Sequence, residues 1–206
     1  MVNENAFWIY DKVIPEHICD QIKKLGLSKN LGKGLTADKT YEEHKDDGIS
    51  ELLKIRDSDL SWLDENWIYK EITPVVQQAN KDAKWNYDWD RMEQAQFTKY
   101  GKGQYYKWHM DTTNKPFDNP EEPFFYKKIR KLSLSLLLSH PDEYEGGDFE
   151  FDFSNVEMGT RRHSLKELSG KGSMVIFPSD TFHRVNPVTK GTRYSLVIWC
   201  VGDPFR

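Results

Sequence analysis

Residues 173–201 read SMVIFPSDTFHRVNPVTKGTRYSLVIWCV, in which two apolar runs, 173–178 and 192–201, flank a polar stretch carrying His183, Pro187 and Gly191. Runs this short, rich in Val, Ile, Leu and Phe and closed off by Asp, Pro or Gly, read as β-strands. Residues 91–100, 105–111, 131–139 and 147–153 repeat that character, so the chain after Trp85 is predicted to be strand and turn. Ahead of Trp85 the apolar spacing changes to three and four. Ile18, Ile22 and Leu25 follow Pro15 at helical spacing within 14–27, with Gly26 placed to end the helix. Leu63, Trp67, Ile68, Ile72, Val75, Val76 and Ala79 predict a second helix over 63–79, kinked or divided at Pro74. Between the helices, residues 29–50 are rich in Gly, Lys and Asp without periodicity and read as a surface loop.

Helices first and strands after predict an α+β chain that is mainly β. A helical support region, 1–84, would buttress one face of an antiparallel sandwich or barrel, 85–206, within a single domain over 1–206. That length suits one core, and an aromatic content of 14% supplies the rings to fill it.

Charge and cysteine usage exclude several classes. Twenty-nine basic residues stand against thirty-three acidic ones, for a net charge of −4, and no basic block could grip a phosphate backbone, so no nucleic-acid partner is expected. No apolar run is long enough to span a bilayer, and the first residues lack the pattern of a targeting signal. Cys19 and Cys200 are the only cysteines, far apart and outside any zinc spacing, which excludes a disulfide framework and fits a cytoplasmic protein.

The chemistry concentrates in His109-Met110-Asp111. Residues two apart on a strand share a face, so this imidazole and carboxylate can converge on one ion while Met110 faces away. His183, 74 positions on, supplies a third ligand, and two histidines with one carboxylate form the facial triad that suits iron(II) and leaves positions open. A lone His-x-Asp pair more often marks an ordinary hydrogen bond, and the remaining histidines, His17, His44, His140 and His163, read as surface or core residues. The neighbouring residues decide the matter. Arg193 opens the last apolar run ten positions after His183, where a fixed guanidinium can receive a carboxylate in a two-pronged pair; alone it would read as a solvated charge. Tyr100 and Tyr106 precede the first ligand in the order Tyr100-x-x-Gly103-x-x-Tyr106-x-x-His109-x-Asp111, and a phenol can donate a hydrogen bond to a bound carboxylate. Gly146-Gly147 reads as a tight reversal between strands.

Together, YGKGQYYKWHMD (100–111), RKLSLSLLLSHPDEYEGGDFEF (130–151) and GKGSMVIFPSDTFHRVNPVTKGTRYSLVIW (170–199) resemble the prolyl 4-hydroxylase superfamily of iron(II)/2-oxoglutarate oxygenases. FWIYDKVIPEHICDQI (7–22) is similar to that family's leading strand and helix. The stretch around His183 is similar to PKHD-type hydroxylases, whereas Trp199, six residues after Arg193, is similar to hypoxia-factor prolyl hydroxylases. The resemblance implies a double-stranded β-helix, also called a jelly roll or cupin-like fold. It implies that His109, Asp111 and His183 hold iron(II), that Arg193 binds the far carboxylate of 2-oxoglutarate with support from Tyr100, and that Tyr106 and Trp199 line the substrate pocket. The implied reaction consumes O2, converts 2-oxoglutarate to succinate and CO2 and hydroxylates a peptidyl-proline, with ascorbate as reductant. Segments 29–50 and 112–126 would clamp a peptide or protein substrate. The same chemistry on a free amino acid or small molecule, or a non-catalytic metal-dependent binding or sensing module, are the rival readings, and oligomeric state is not legible.

Overall fold

Leu132-Ser133-Leu134-Ser135-Leu136 alternates at the period of a strand, giving one apolar and one hydroxylic face. In the computed structural model, which describes residues 5–34, 55–112, 115–154, 159–168 and 170–205, this run is the middle of β8 (Ile129–Leu137). Ahead of it come β1 (Trp8–Tyr10), β2 (Gly32–Lys33), β3 (Arg56–Asp57), β4 (Asp59–Leu63), β5 (Arg91–Met92), β6 (Ala95–Tyr100) and β7 (Tyr105–His109). After it come β9 (Tyr144–Gly146), β10 (Phe149–Asp152), β11 (Arg162–Ser164), β12 (Met174–Pro178), β13 (His183–Val185), β14 (Val188–Gly191) and β15 (Arg193–Gly202). Two helices, α1 (Glu16–Ser28) and α2 (Asn66–Asp82), complete the described elements.

The larger sheet runs β1-β12-β8-β15-β6-β4-β2 with β5 added to β15, and the second runs β11-β10-β13-β7-β3; β14 pairs with β9 apart from both. Every pairing is antiparallel. On the larger sheet, Leu132, Leu134 and Leu136, with Phe97, Ile176, Leu196 and Ile198, pack under Ile22 of α1 and Ile68, Ile72 and Val76 of α2. Removing such apolar area from water is what fastens the helices to the sheet. The alternate residues of the same strands, among them Gln96, Tyr100, Ser135, Arg193 and Ser195, line a cavity instead. Between the sheets lies a second core of Phe149, Phe151, Val175, Phe177, Val185 and Val188. The arrangement is the mainly β double-stranded β-helix that the motifs implied, buttressed by helices on one face.

Several local expectations change. Gly26 does not end α1, which continues to Ser28; the residue is buried, and a Cβ there would fall 2.3 Å from Cγ of Phe97. Leu63 closes β4 rather than opening α2, and α2 passes through the exposed Pro74 as one element. Only 29–34 of the expected loop 29–50 lie within the described residues, and there Gly32 and Lys33 pair with β4. His44 lies outside them.

The Gly26 contact sets two effects against each other. Glycine to alanine inside a helix ordinarily stabilises by roughly 0.5–1 kcal/mol, whereas overpacking a tight core contact costs roughly 1–3 kcal/mol. Gly26→Ala is expected to lower the thermal midpoint by several degrees in a melting experiment; a raised midpoint would show that α1 does not press on Phe97.

Candidate metal centre and its cavity

In the pairing of β7 with β13, His183 stands directly opposite His109, so residues 74 positions apart become cross-strand neighbours. Asp111 lies just beyond the end of β7. Its backbone N–H donates to the carbonyl of Ser179 at 2.9 Å, in the turn after β12, and the Ser179 hydroxyl meets that of Ser133 at 2.9 Å. One potential ligand atom from each of His109, Asp111 and His183 lies within 4.8 Å of the others. The side chains are 14%, 7% and 6% exposed in that order, so bulk water does little to screen them.

The ring nitrogens are assigned by their hydrogen bonds. Nδ1–H of His109 donates to the carbonyl of Lys107 at 2.8 Å, and Nδ1–H of His183 to that of Thr181 at 2.9 Å, which leaves each Nε2 with its lone pair turned inward. Those Nε2 atoms face the Asp111 carboxylate at 3.5 and 3.6 Å, beyond good hydrogen-bond range. Burial, and then repulsion from His109, push the His183 pKa down to about 4 against the attraction of Asp111, so this imidazole is neutral at neutral pH. Burial acts to raise the Asp111 carboxyl, but its neighbours His183, His109 and Arg130 outweigh burial and hold it well below the usual carboxylate range. Two inward lone pairs and an anion repel one another unless a cation stands among them. The donor set of two imidazoles and one carboxylate fits a ferrous ion with positions left open. Both rings are held by packing: Tyr106 stacks on His109 with centroids 3.5 Å apart, and Phe149 and Phe177 lie 5.4 and 4.7 Å from His183.

The three residues open into a cavity of about 540 Å³ that also takes in Arg193, Tyr100, Tyr106 and Trp199. Among the described residues, six buried side-chain polar atoms lack a hydrogen-bond partner, and five of them belong to this lining: Asp111 Oδ2, Arg193 Nε and Nη1, Arg56 Nη2 and Trp199 Nε1. Leaving such an atom unpaired costs roughly 1–3 kcal/mol, so their concentration here marks a site built for a polar ligand. Arg193 is only 1% exposed, which overturns the reading of a solvated charge. It pairs in register with Tyr100, whose ring lies 5.8 Å from the guanidinium carbon. Ser195 lies two positions on, on the same face of β15, and also lines the cavity. Burial, against the pull of Arg56, pushes Tyr106 up to about 12, so its phenol stays a donor.

Several lining residues escaped the sequence reading. Arg56, 4% exposed on β3, donates from Nε to Ser58 at 2.8 Å and lies over the Tyr106 ring at 4.6 Å. Arg130 makes a two-pronged pair with Glu93 at 2.6 and 2.7 Å, donates to the carbonyl of Asp111 at 3.1 Å and stacks over Trp199 at 3.9 Å. Arginines in charged stretches read as surface residues, and only the fold turns these two inward. With Arg130 offset by Glu93, Arg56, Lys115 and Arg193 stand as three cations against the single carboxylate of Asp111 in the lining, a balance suited to an anionic ligand.

Comparison with known proteins agrees with this chemistry. A PKHD-type hydroxylase of Pseudoalteromonas atlantica is 25% identical over 160 residues, 77% of this chain and 59% of that one, so the chain spans about three fifths of that relative's length. The fold superposes on a viral collagen prolyl hydroxylase from Paramecium Bursaria Chlorella virus-1, solved as its 2OG complex, with a TM-score of 0.69 at 20% identity over 98% of this chain and 99% of that one. It also superposes on a Trichoplax adhaerens prolyl hydroxylase in complex with a hypoxia inducible factor peptide fragment, with a TM-score of 0.64 at 15% identity over 97% and 84% of the two chains. The model of the 2OG-Fe(II) oxygenase superfamily matches residues 95–201. That match begins at the first residue of β6 and takes in both imidazoles, the carboxylate and the buried guanidinium, and the chain belongs to the 2OG-Fe(II) oxygenase superfamily.

Proposed function

We propose that this oxygenase hydroxylates a peptidyl-prolyl residue, with His109, Asp111 and His183 as the iron ligands and Arg193 as the receptor for the far carboxylate of 2-oxoglutarate. Membership of the superfamily implies iron(II), 2-oxoglutarate and O2. The observation that carries the assignment of roles is the buried Arg193, with Nε and Nη1 unpartnered in the cavity that holds the triad. A pure metal-binding or sensing module has no use for a desolvated guanidinium beside its ion. When bound, iron(II) and 2-oxoglutarate supply the oxidising chemistry: one atom of O2 enters a substrate C–H bond, the other enters succinate, and CO2 leaves.

The chain's own share is binding, orientation and exclusion of water. The backbone carbonyls of Lys107 and Thr181 fix both imidazoles in the tautomer that presents Nε2. Arg193, 1% exposed in the cavity lining, offers a charge-assisted, two-pronged site with Tyr100 beside it. Tyr106 and Trp199 provide ring surfaces for a substrate. At the mouth, Met110, which strand alternation was expected to turn away, lines the cavity with Trp62, the two being 40% and 45% exposed. The buried Arg56 in the same lining leaves Nη2 unpartnered, and apolar rings with one such donor suit a ring flanked by peptide carbonyls. Lys115 and Phe117, from the segment 112–126 expected to hold a peptide, line it as well; residues 113–114 are outside the described set. The Trichoplax enzyme holding a peptide supports the peptidyl reading over a free amino acid.

With iron(II), ascorbate and O2 supplied, the protein is expected to form succinate from 2-oxoglutarate; Arg193→Lys should raise the KM for 2-oxoglutarate about 10- to 100-fold, the loss of a two-pronged charged pair worth roughly 1.5–3 kcal/mol. His183→Ala should reduce both metal retention and succinate release to background. Succinate release equal to wild type in His183→Ala would contradict the triad. Mass spectrometry of proline-containing peptides incubated with the complete mixture should show the added oxygen on proline; turnover that responds only to free amino acids would overturn the peptidyl reading while leaving the oxygenase intact.

A further inference from the structure

Two adjacent glycines, Gly146 and Gly147, end β9 and lead into β10, with φ of +72° and +65°. Both meet the demand of a tight reversal for left-handed backbone, which glycine adopts without steric penalty. Their surroundings differ. A Cβ on Gly146 would strike backbone, the carbonyl oxygen of Pro187 at 2.5 Å and the amide nitrogen of Thr189 at 3.0 Å, so that glycine serves the pairing of β9 with β14. A Cβ on Gly147 would meet side chains: Cδ of Arg193 at 3.0 Å, Cγ2 of Val188 at 3.0 Å and Cε2 of Tyr144 at 3.5 Å. The arm of Arg193 therefore lies flush on a bare backbone. The guanidinium at its end, 1% exposed and with Nε and Nη1 unpartnered, has packing rather than hydrogen bonds to set where those two atoms sit.

We infer that Gly147 is a positioning residue that fixes the depth of the Arg193 guanidinium and so selects the chain length of the 2-oxo diacid the site accepts. The inference rests on the reading of Arg193 as the carboxylate receptor. A diacid held at one end by the metal and at the other by a guanidinium must match the span between them, and one methylene more or less breaks one end. A methyl group at position 147 would displace Cδ of Arg193 toward the cavity, shortening that span. Val188, on the other side of the same gap, limits how far position 147 can yield.

The test is equilibrium binding under anaerobic conditions with redox-inert Mn(II), using the four-, five- and six-carbon 2-oxo diacids and following intrinsic tryptophan fluorescence or heat. Gly147→Ala and Gly147→Asn are compared with wild type. Asparagine enters the left-handed region more readily than other side chains, so it retains the bulk with less backbone strain. Gly103→Ala is the control for strain alone, since Gly103 has φ of +85° and nothing within 4 Å of a built Cβ. Wild type and Gly103→Ala should prefer the five-carbon diacid. Both Gly147 variants should bind it about tenfold more weakly, lose less affinity for the four-carbon acid and keep the Mn(II) affinity of wild type. Adding Val188→Ala to Gly147→Ala should restore part of the loss. Wild-type preference in both Gly147 variants, or equal weakening of all three acids together with Mn(II), would overturn the inference. Wild-type protein that takes Mn(II) but none of the diacids would instead refute the role of Arg193, and this inference with it.

Discussion

Antiparallel pairing of β7 with β13 sets His109 opposite His183, and the register of that pairing decides whether a site exists. Side chains alternate between the faces of a strand, so a slip of one residue would turn an imidazole outward and an outer side chain inward. The outer positions next to the histidines are Trp108 and Arg184, which already pack on each other at 4.6 Å, and Arg184 is tied to Glu150 at 2.7 Å. Phe149, Phe151 and Val185 bind the inner face into the second core. Apolar burial inside and a paired ladder outside thus oppose the slip. The three candidate ligands inherit their precision from packing that has no chemical role of its own.

That precision is set against electrostatic cost. Five unpartnered polar atoms line one cavity, and an anion faces two imidazole lone pairs across it. Such an arrangement is destabilising until a cation and an anion enter, and each ligand that binds only the folded chain then adds to its stability. The larger core, where α1 and α2 cover the big sheet, lies on the far face of the strands that carry Arg193, Tyr100 and Ser195. One strand therefore serves both ends: Leu196 and Ile198 of β15 hold the helices, while Arg193, Ser195 and Trp199 face the cavity.

What the sequence made legible follows from these two faces. The long strands β6, β8, β12 and β15 stood out because burial on both sides leaves few charges in them, and the amphipathic helices because their apolar positions recur at three and four. The short strands β9, β13 and β14 carry three or four residues each, too few for any period to show. β4 was hidden by its setting, since Asp59 opens it and Leu63 also fits the spacing of the helix that follows. Among site residues, His109, Asp111, His183 and Arg193 could be named from motif order. Arg56 and the Arg130–Glu93 pair could not, because burial of a charged side chain is a tertiary event with no local signature. Gly147 was visible as a turn residue, but its contact with Arg193 depends on a strand 46 positions away.

The central claim is that three side chains from distant parts of the chain share one metal ion. Anomalous diffraction at the manganese or iron edge, from crystals grown without oxygen in the presence of 2-oxoglutarate, tests it most directly. A single peak at bonding distance from Nε2 of His109, the carboxylate of Asp111 and Nε2 of His183 is the result expected. Metal density that excludes any one of the three, or that settles elsewhere on the protein, would contradict it.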